Sequence, residues 1–139
     1  STSAGLDTLP LRAGAGVIFA AHGAQKLFGW FGGYGLEGTA GWMASIGLEP
    51  GLPMAVLAGG AEFFGGLLLI IGLLVRPAAL MLAITMVVAI VTVHLQHGLF
   101  LSNNGYEFGL ALLVISAALA VRGAGNLSVD RLLQTQSAK

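Results

Sequence analysis

The chain has 139 residues, 56% hydrophobic and only 9% charged, with six Lys and Arg balanced by six Asp and Glu. Soluble domains carry about 25% charged residues, so the composition excludes an ordinary soluble enzyme and a disordered segment, and the balanced charge excludes a nucleic-acid binder. Cysteine is absent, which removes disulfides, thiol nucleophiles and thiolate-held metals or clusters. What remains is an integral membrane protein whose first partner is the lipid bilayer.

A membrane-crossing helix needs roughly 20 mostly apolar residues. Four stretches qualify, at about 9–30, 53–75, 78–95 and 106–121. The first is interrupted by Arg12, His22 and Lys26 and lacks a small-residue cleavage site after it, so it reads as a retained helix rather than a signal peptide. Glycine-rich residues 31–52 follow, with a short interfacial helix expected around 38–46 and Trp42 at headgroup depth. The second stretch is apolar except for Glu62, and Arg76-Pro77 predicts a tight turn into the uncharged third. Ser102-Asn103-Asn104-Gly105 is a strong turn signal before the fourth, which opens with Glu107. Gly123-Ala124-Gly125 stops that helix, and residues 127–133, with Ser128 as N-cap, are expected to lie along the membrane surface. The fold class is therefore all-α: residues 1–139 form one domain, an integral membrane four-helix bundle.

Orientation follows from the basic residues. Arg12, Arg76, Arg122, Arg131 and Lys139 fall on one side and only Lys26 towards the other, which places both termini in the cytoplasm. Arg12, Arg76 and Arg122 read as topology anchors, leaving the inner half of the bundle otherwise without charge.

The outer half is different. At ~1.5 Å rise per residue, His22 lies ~12 Å and Glu62 ~14 Å below the outer surface. Lys26 is one turn beyond His22 on the same face, His94 and His97 end the third helix, and Glu107 opens the fourth. All four helices thus bring titratable groups to one leaflet, where a charge costs a few kcal/mol to insert. Each also has a plainer reading: Glu62 pairing with Lys26 or His22 to fix helix register, Lys26 snorkelling, Glu107 favouring a helix dipole. Gly59, Gly60, Gly65 and Gly66 flank Glu62; close helix packing is the default explanation and a flat slot for a planar ligand the alternative. Phe63 is a candidate stacking surface for such a ligand, against a role in packing. A weak echo, His22 with Leu27-Phe28 and His94 with Leu99-Phe100, hints at two related hairpins.

The chain resembles the DoxX family. The resemblance rests on His22-Gly23-Ala24-Gln25-Lys26-Leu27-Phe28-Gly29, on Gly60-Ala61-Glu62-Phe63-Phe64-Gly65-Gly66, and on Gly72-Leu73-Leu74-Val75-Arg76-Pro77. It continues through Tyr106-Glu107 and Gly123-Ala124-Gly125-Asn126-Leu127-Ser128-Val129-Asp130-Arg131. It implies a multi-pass protein of a bacterial or archaeal inner membrane, associated with oxidoreductase systems including a thiosulfate:quinone oxidoreductase. On that footing His22, Glu62, His94 and Glu107 are the candidate catalytic groups, and His22, Lys26, Glu62 and Phe63 the candidates for binding a quinone. Quinone chemistry moves two protons with two electrons, and a histidine backed by a carboxylate suits the proton half. Haem between His22 and His94 is disfavoured because their depths differ, and no metal site is assigned. Other membrane or redox proteins, and further copies of the chain, are the expected partners. Two alternatives stand beside this reading: a non-catalytic anchor or assembly partner, and a small-molecule or proton carrier.

Overall fold

Helix boundaries follow the glycines. In the computed structural model, which describes residues 6–124 and 128–137, α1 spans Thr8–Phe28 and ends where Gly29 adopts φ 74°. That left-handed cap lets the Gly29 N–H reach the Gln25 carbonyl at 3.2 Å. Next come α2 (Gly35–Ser45) and α3 (Gly51–Ile71), the latter capped by Gly72 at φ 77°. Helix α4 (Val75–Ala89) runs on through a π turn at Ile90–His94 and a 3-10 turn at Leu95–His97. Helix α5 spans Glu107–Arg122 and α6 Val129–Ser137. No strand occurs among the described residues.

Two expectations need correction here. The turn between α3 and α4 is Gly72-Leu73-Leu74 rather than Arg76-Pro77, and Leu74 itself is left-handed at φ 51°. Pro77 is the third residue of α4, where the absent N–H has no intrahelical acceptor to lose. The terminal helix starts at Val129, capped by Ser128 Oγ accepting from the Arg131 N–H at 3.1 Å. Leu127, where it was expected to begin, lies outside the described residues.

Among the described residues, two helical stretches are long and apolar enough to cross a membrane, Gly51–Ile71 and Val75–His97. Only 33% and 28% of their apolar windows are buried in protein, so most of this surface faces some other apolar medium. Helix α1 packs most closely on α3; α4 packs on α5 and on α3, and α1 touches α5 lightly. Phe19, Leu69, Val75, Leu82, Leu112 and Leu119 form the centre of the core.

The α1–α3 contact is made by glycines seven residues apart on each helix. A Cβ on Gly66 would stand 2.5 Å from the Ala20 nitrogen and 2.6 Å from the Gly16 carbonyl oxygen. Gly23 lies against the Phe63 backbone, and Gly59 against Leu27 and Lys26. These glycines are packing residues. Gly65 faces Leu82 of α4, whereas Gly60 has nothing within 4 Å of its would-be Cβ.

A second polar cluster holds the opposite end together. Arg12 is fully buried, with Nη1 donating to the Leu69 carbonyl at 3.4 Å. It is therefore not an anchor at a surface, and that half of the molecule is not free of internal charge. The Asp130 carboxylate accepts from the Leu74 N–H at 2.8 Å and the Val75 N–H at 3.0 Å, capping α4 from outside. Its own N–H donates to the Gly72 carbonyl at 2.8 Å, and its charge attracts Arg12. Replacing Asp130 with Ala leaves two helix-end N–H groups without this acceptor and removes a negative charge that attracts the buried Arg12. We expect a loss of about 3 kcal/mol, read as faster tryptic cleavage at Arg131, with Asp130→Asn intermediate. Unchanged cleavage would show that α6 is held by other contacts.

Candidate functional site

A buried charge fits a helix only on the stripe that faces its neighbours. On α3 that stripe is Ala55, Gly59, Glu62, Gly66 and Leu69, spaced at helical period, so Glu62 points inward and is 4% exposed. Gly59 lets α1 approach closely enough for Lys26 to meet it: Lys26 Nζ donates to Glu62 Oε2 at 2.7 Å. The pair is asymmetric, with side-chain exposures of 24% for Lys26 and 5% for Glu62. Helix α2 closes over this end, and Thr39 Oγ1 donates to the Lys26 carbonyl at 3.5 Å.

The ion pair opens into a groove of about 900 Å³ between α3 and α4, open along one side. Its walls are almost wholly apolar, formed by Leu57, Ala61 and Phe64 of α3 and by Leu80, Ile84 and Val88 of α4. Gly60 contributes open space rather than helix contact, so the glycines flanking Glu62 divide between packing and slot. Trp42 and Met43 of α2 also line it. Thr92, Val93 and His94, three successive residues, all line it. They belong to the wider π turn at Ile90–His94.

The candidate residues separate into three places. Lys26, Glu62 and His94 border the groove; His94 Nδ1 is also 2.9 Å from the Asn104 carbonyl oxygen. His22 lies within electrostatic reach of Lys26 and Glu62, but its ring is exposed and stacks at 5.9 Å on Phe108 of α5. Glu107 is turned into the loop before α5, where Oε1 accepts from the Leu101 N–H at 2.7 Å. Phe63 packs edge-on between Phe28 (5.3 Å) and Phe64 (5.1 Å), and it is Phe64 that lines the groove. Thr92 carries no signal in the sequence and Trp42 reads there only as a headgroup-depth aromatic, whereas Leu57, Ala61 and Phe64 fall at helical spacing on one face. No three His, Asp or Glu side chains converge as a metal site among the described residues. Chemically, the arrangement offers an ammonium donor and a carboxylate part-way along an apolar trough: Gly65 faces Leu82, which sets Glu62 near Thr85, and the His94 imidazole lies nine residues further on, about 13 Å at ~1.5 Å per residue.

The family model for DoxX matches residues 8–95. A Bacillus subtilis (strain 168) protein with the name "Putative oxidoreductase CatD" is 38% identical over 125 residues, which is 90% of this chain and 85% of that protein. A Haemophilus influenzae protein named only "Uncharacterized protein" is 38% identical over 78 residues, 56% of this chain and 52% of its own length. No solved structure matches the chain.

Proposed function

The chain belongs to the DoxX family and is a membrane protein, and from that premise we propose that it is an inner-membrane subunit of an oxidoreductase system that handles quinone at the Lys26–Glu62 pair in the groove. In this reading α1, α3, α4 and α5 cross the bilayer, with both chain ends cytoplasmic. The observation that carries it is a buried ion pair opening into an otherwise apolar groove, which His94 also lines further along α4. The similar protein named as an oxidoreductase supports the redox half.

Reduction of a quinone takes two electrons and two protons and gives the quinol. Lys26 Nζ donates a hydrogen bond to one carbonyl oxygen, and Glu62 passes a proton towards it. His94, further along the groove towards the end of α4, relays protons outward. His22, near both charges but open on its other side, relays protons to the surface. Electrons arrive from a partner protein, because a chain without cysteine has no thiolate-held cluster of its own.

The test is purification in mild detergent, extraction and mass spectrometry, then titration with a long-chain quinone. Co-purifying quinone and saturable binding are expected, and Glu62→Gln should weaken binding at least tenfold in a protein that still folds. Absence of both co-purified quinone and saturable binding overturns the reading. It would favour a non-catalytic assembly partner, for which the exposed Trp30, Phe31 and Tyr34 supply an aromatic surface.

A further inference from the structure

A threonine inside a helix commonly gives its hydroxyl hydrogen to the carbonyl one turn back and keeps only an oxygen for other partners. Helix α4 carries two of this kind. Thr85 Oγ1 donates to the Met81 carbonyl at 2.9 Å, and Thr92 Oγ1 to the Val88 carbonyl at 2.6 Å. Both residues line the groove. With its hydrogen engaged, each oxygen retains lone pairs that can accept a hydrogen bond.

Helix register separates the two. Helices α3 and α4 are joined by a short turn and run antiparallel, and Gly65 of α3 faces Leu82 of α4. Glu62 lies three residues before Gly65, and Thr85 three residues after Leu82, so the two stand level across the groove. Thr92 is seven residues further out, about 10 Å at ~1.5 Å per residue. Gly60 leaves open space on α3 beside this level. The middle of the groove is thus bordered by two acceptors, a carboxylate on α3 and a hydroxyl oxygen on α4. The donor at this level is Lys26, whose Nζ already gives one hydrogen bond to Glu62.

From this juxtaposition we propose that Thr85 is a further ligand-binding residue, and that Glu62 and Thr85 together make the site select a quinol over the corresponding quinone. A quinol carries hydroxyls on opposite sides of its ring. One O–H donates to the Glu62 carboxylate and the other to Thr85 Oγ1. A quinone has only carbonyl oxygens to set against these two acceptors, and Lys26 is its one donor at this level. The inference rests on the quinone reading and adds to it the redox state that the site prefers. By linkage, tighter binding of the quinol makes reduction of a bound quinone more favourable than reduction in the free bilayer, by the same factor.

The experiment compares the two redox forms on the full chain in lipid vesicles. A long-chain isoprenoid quinone and, anaerobically, its dithionite-reduced quinol are each partitioned between vesicles with and without the protein, and bound ligand is quantified by extraction and mass spectrometry. The parent should bind the quinol about tenfold or more tightly than the quinone, since a hydrogen bond to a carboxylate is among the stronger kinds. Thr85→Val removes the oxygen and keeps the shape, and the Met81 carbonyl retains its helix bond from the Thr85 N–H. This variant should weaken the quinol about fivefold and the quinone less than about twofold. Thr85→Ser restores the oxygen and should restore quinol binding. Thr92→Val, which loses the same kind of hydroxyl away from Glu62, should change neither. Equal weakening of both forms by Thr85→Val, no weakening, or no rescue by Thr85→Ser overturns the proposal. So does an equal effect of Thr92→Val, or a parent without preference for the quinol. In each of these cases quinone binding itself still stands. A parent that binds neither form removes both this inference and the function it rests on.

Discussion

Gly66→Ala should destabilise the protein by about 3 kcal/mol, although it adds one methyl group. The new Cβ would stand 2.5 Å from the Ala20 nitrogen and 2.6 Å from the Gly16 oxygen. Both are backbone atoms, so no side-chain rotation relieves the clash and α1 must move off α3. Among the described residues that contact is the most extensive between any two helices, and it also brings Lys26 to Glu62. The matched control is Gly60→Ala. There nothing lies within 4 Å, and alanine gains up to about 1 kcal/mol of helix propensity. Thermal unfolding in detergent should lower the midpoint for the first and hold or raise it for the second. Equal midpoints would mean that the α1–α3 approach is looser than described.

The second large effect is unequal between the two partners of one ion pair. Lys26→Met leaves the Glu62 carboxylate, 5% exposed, without its cation, a loss of about 3–5 kcal/mol. Glu62→Gln should cost clearly less. The ammonium it leaves behind is 24% exposed and two residues from the end of α1, so its long stem can carry the charge outwards. The double variant Lys26→Met with Glu62→Gln removes both charges and should recover most of the stability lost in Lys26→Met alone. Denaturant titration of the four proteins gives the coupling directly. Additive losses would show that the pair is not coupled. The mildness expected of Glu62→Gln is what makes it usable for testing quinone binding.

Much of this was readable because apolar helices advertise themselves. Residues 53–75 and 78–95 fall within a few positions of α3 and α4, and while depth matches Glu62 to His22, the partner it meets is the other candidate, Lys26, one turn further out. Two kinds of feature escaped. The α3–α4 turn was assigned to Arg76-Pro77 because proline interrupts helices, but at the third helical position it interrupts nothing, and Gly72 was the real stop. Arg12 was taken for a topology anchor because arginines flank membrane helices. Yet Thr8, Arg12, Ala15, Phe19 and Gly23 share one buried stripe, and that spacing was visible in the sequence. What was not visible is the reason burial is tolerated, since Asp130 lies 118 residues away in the chain. His22 and Glu107 show the complementary limit. Equal depth in a bilayer does not specify direction around a helix, and these two point to α5 and to a loop rather than into the groove.

The π turn at Ile90–His94 makes chain length an informative character. A π turn holds one more residue than an α turn, so its gain or loss leaves a gap of a single position in an alignment. A relative one residue shorter between Val88 and Gly98 would close this turn as ordinary helix. The helix beyond the turn would keep its register, whereas the turn itself would lose one position, so that a histidine aligned with His94 would occupy a different place in it. Relatives that keep a histidine here but lack the extra residue would keep the letter without its position. Counting residues in this stretch, rather than matching them, is the way to sort which members share the site.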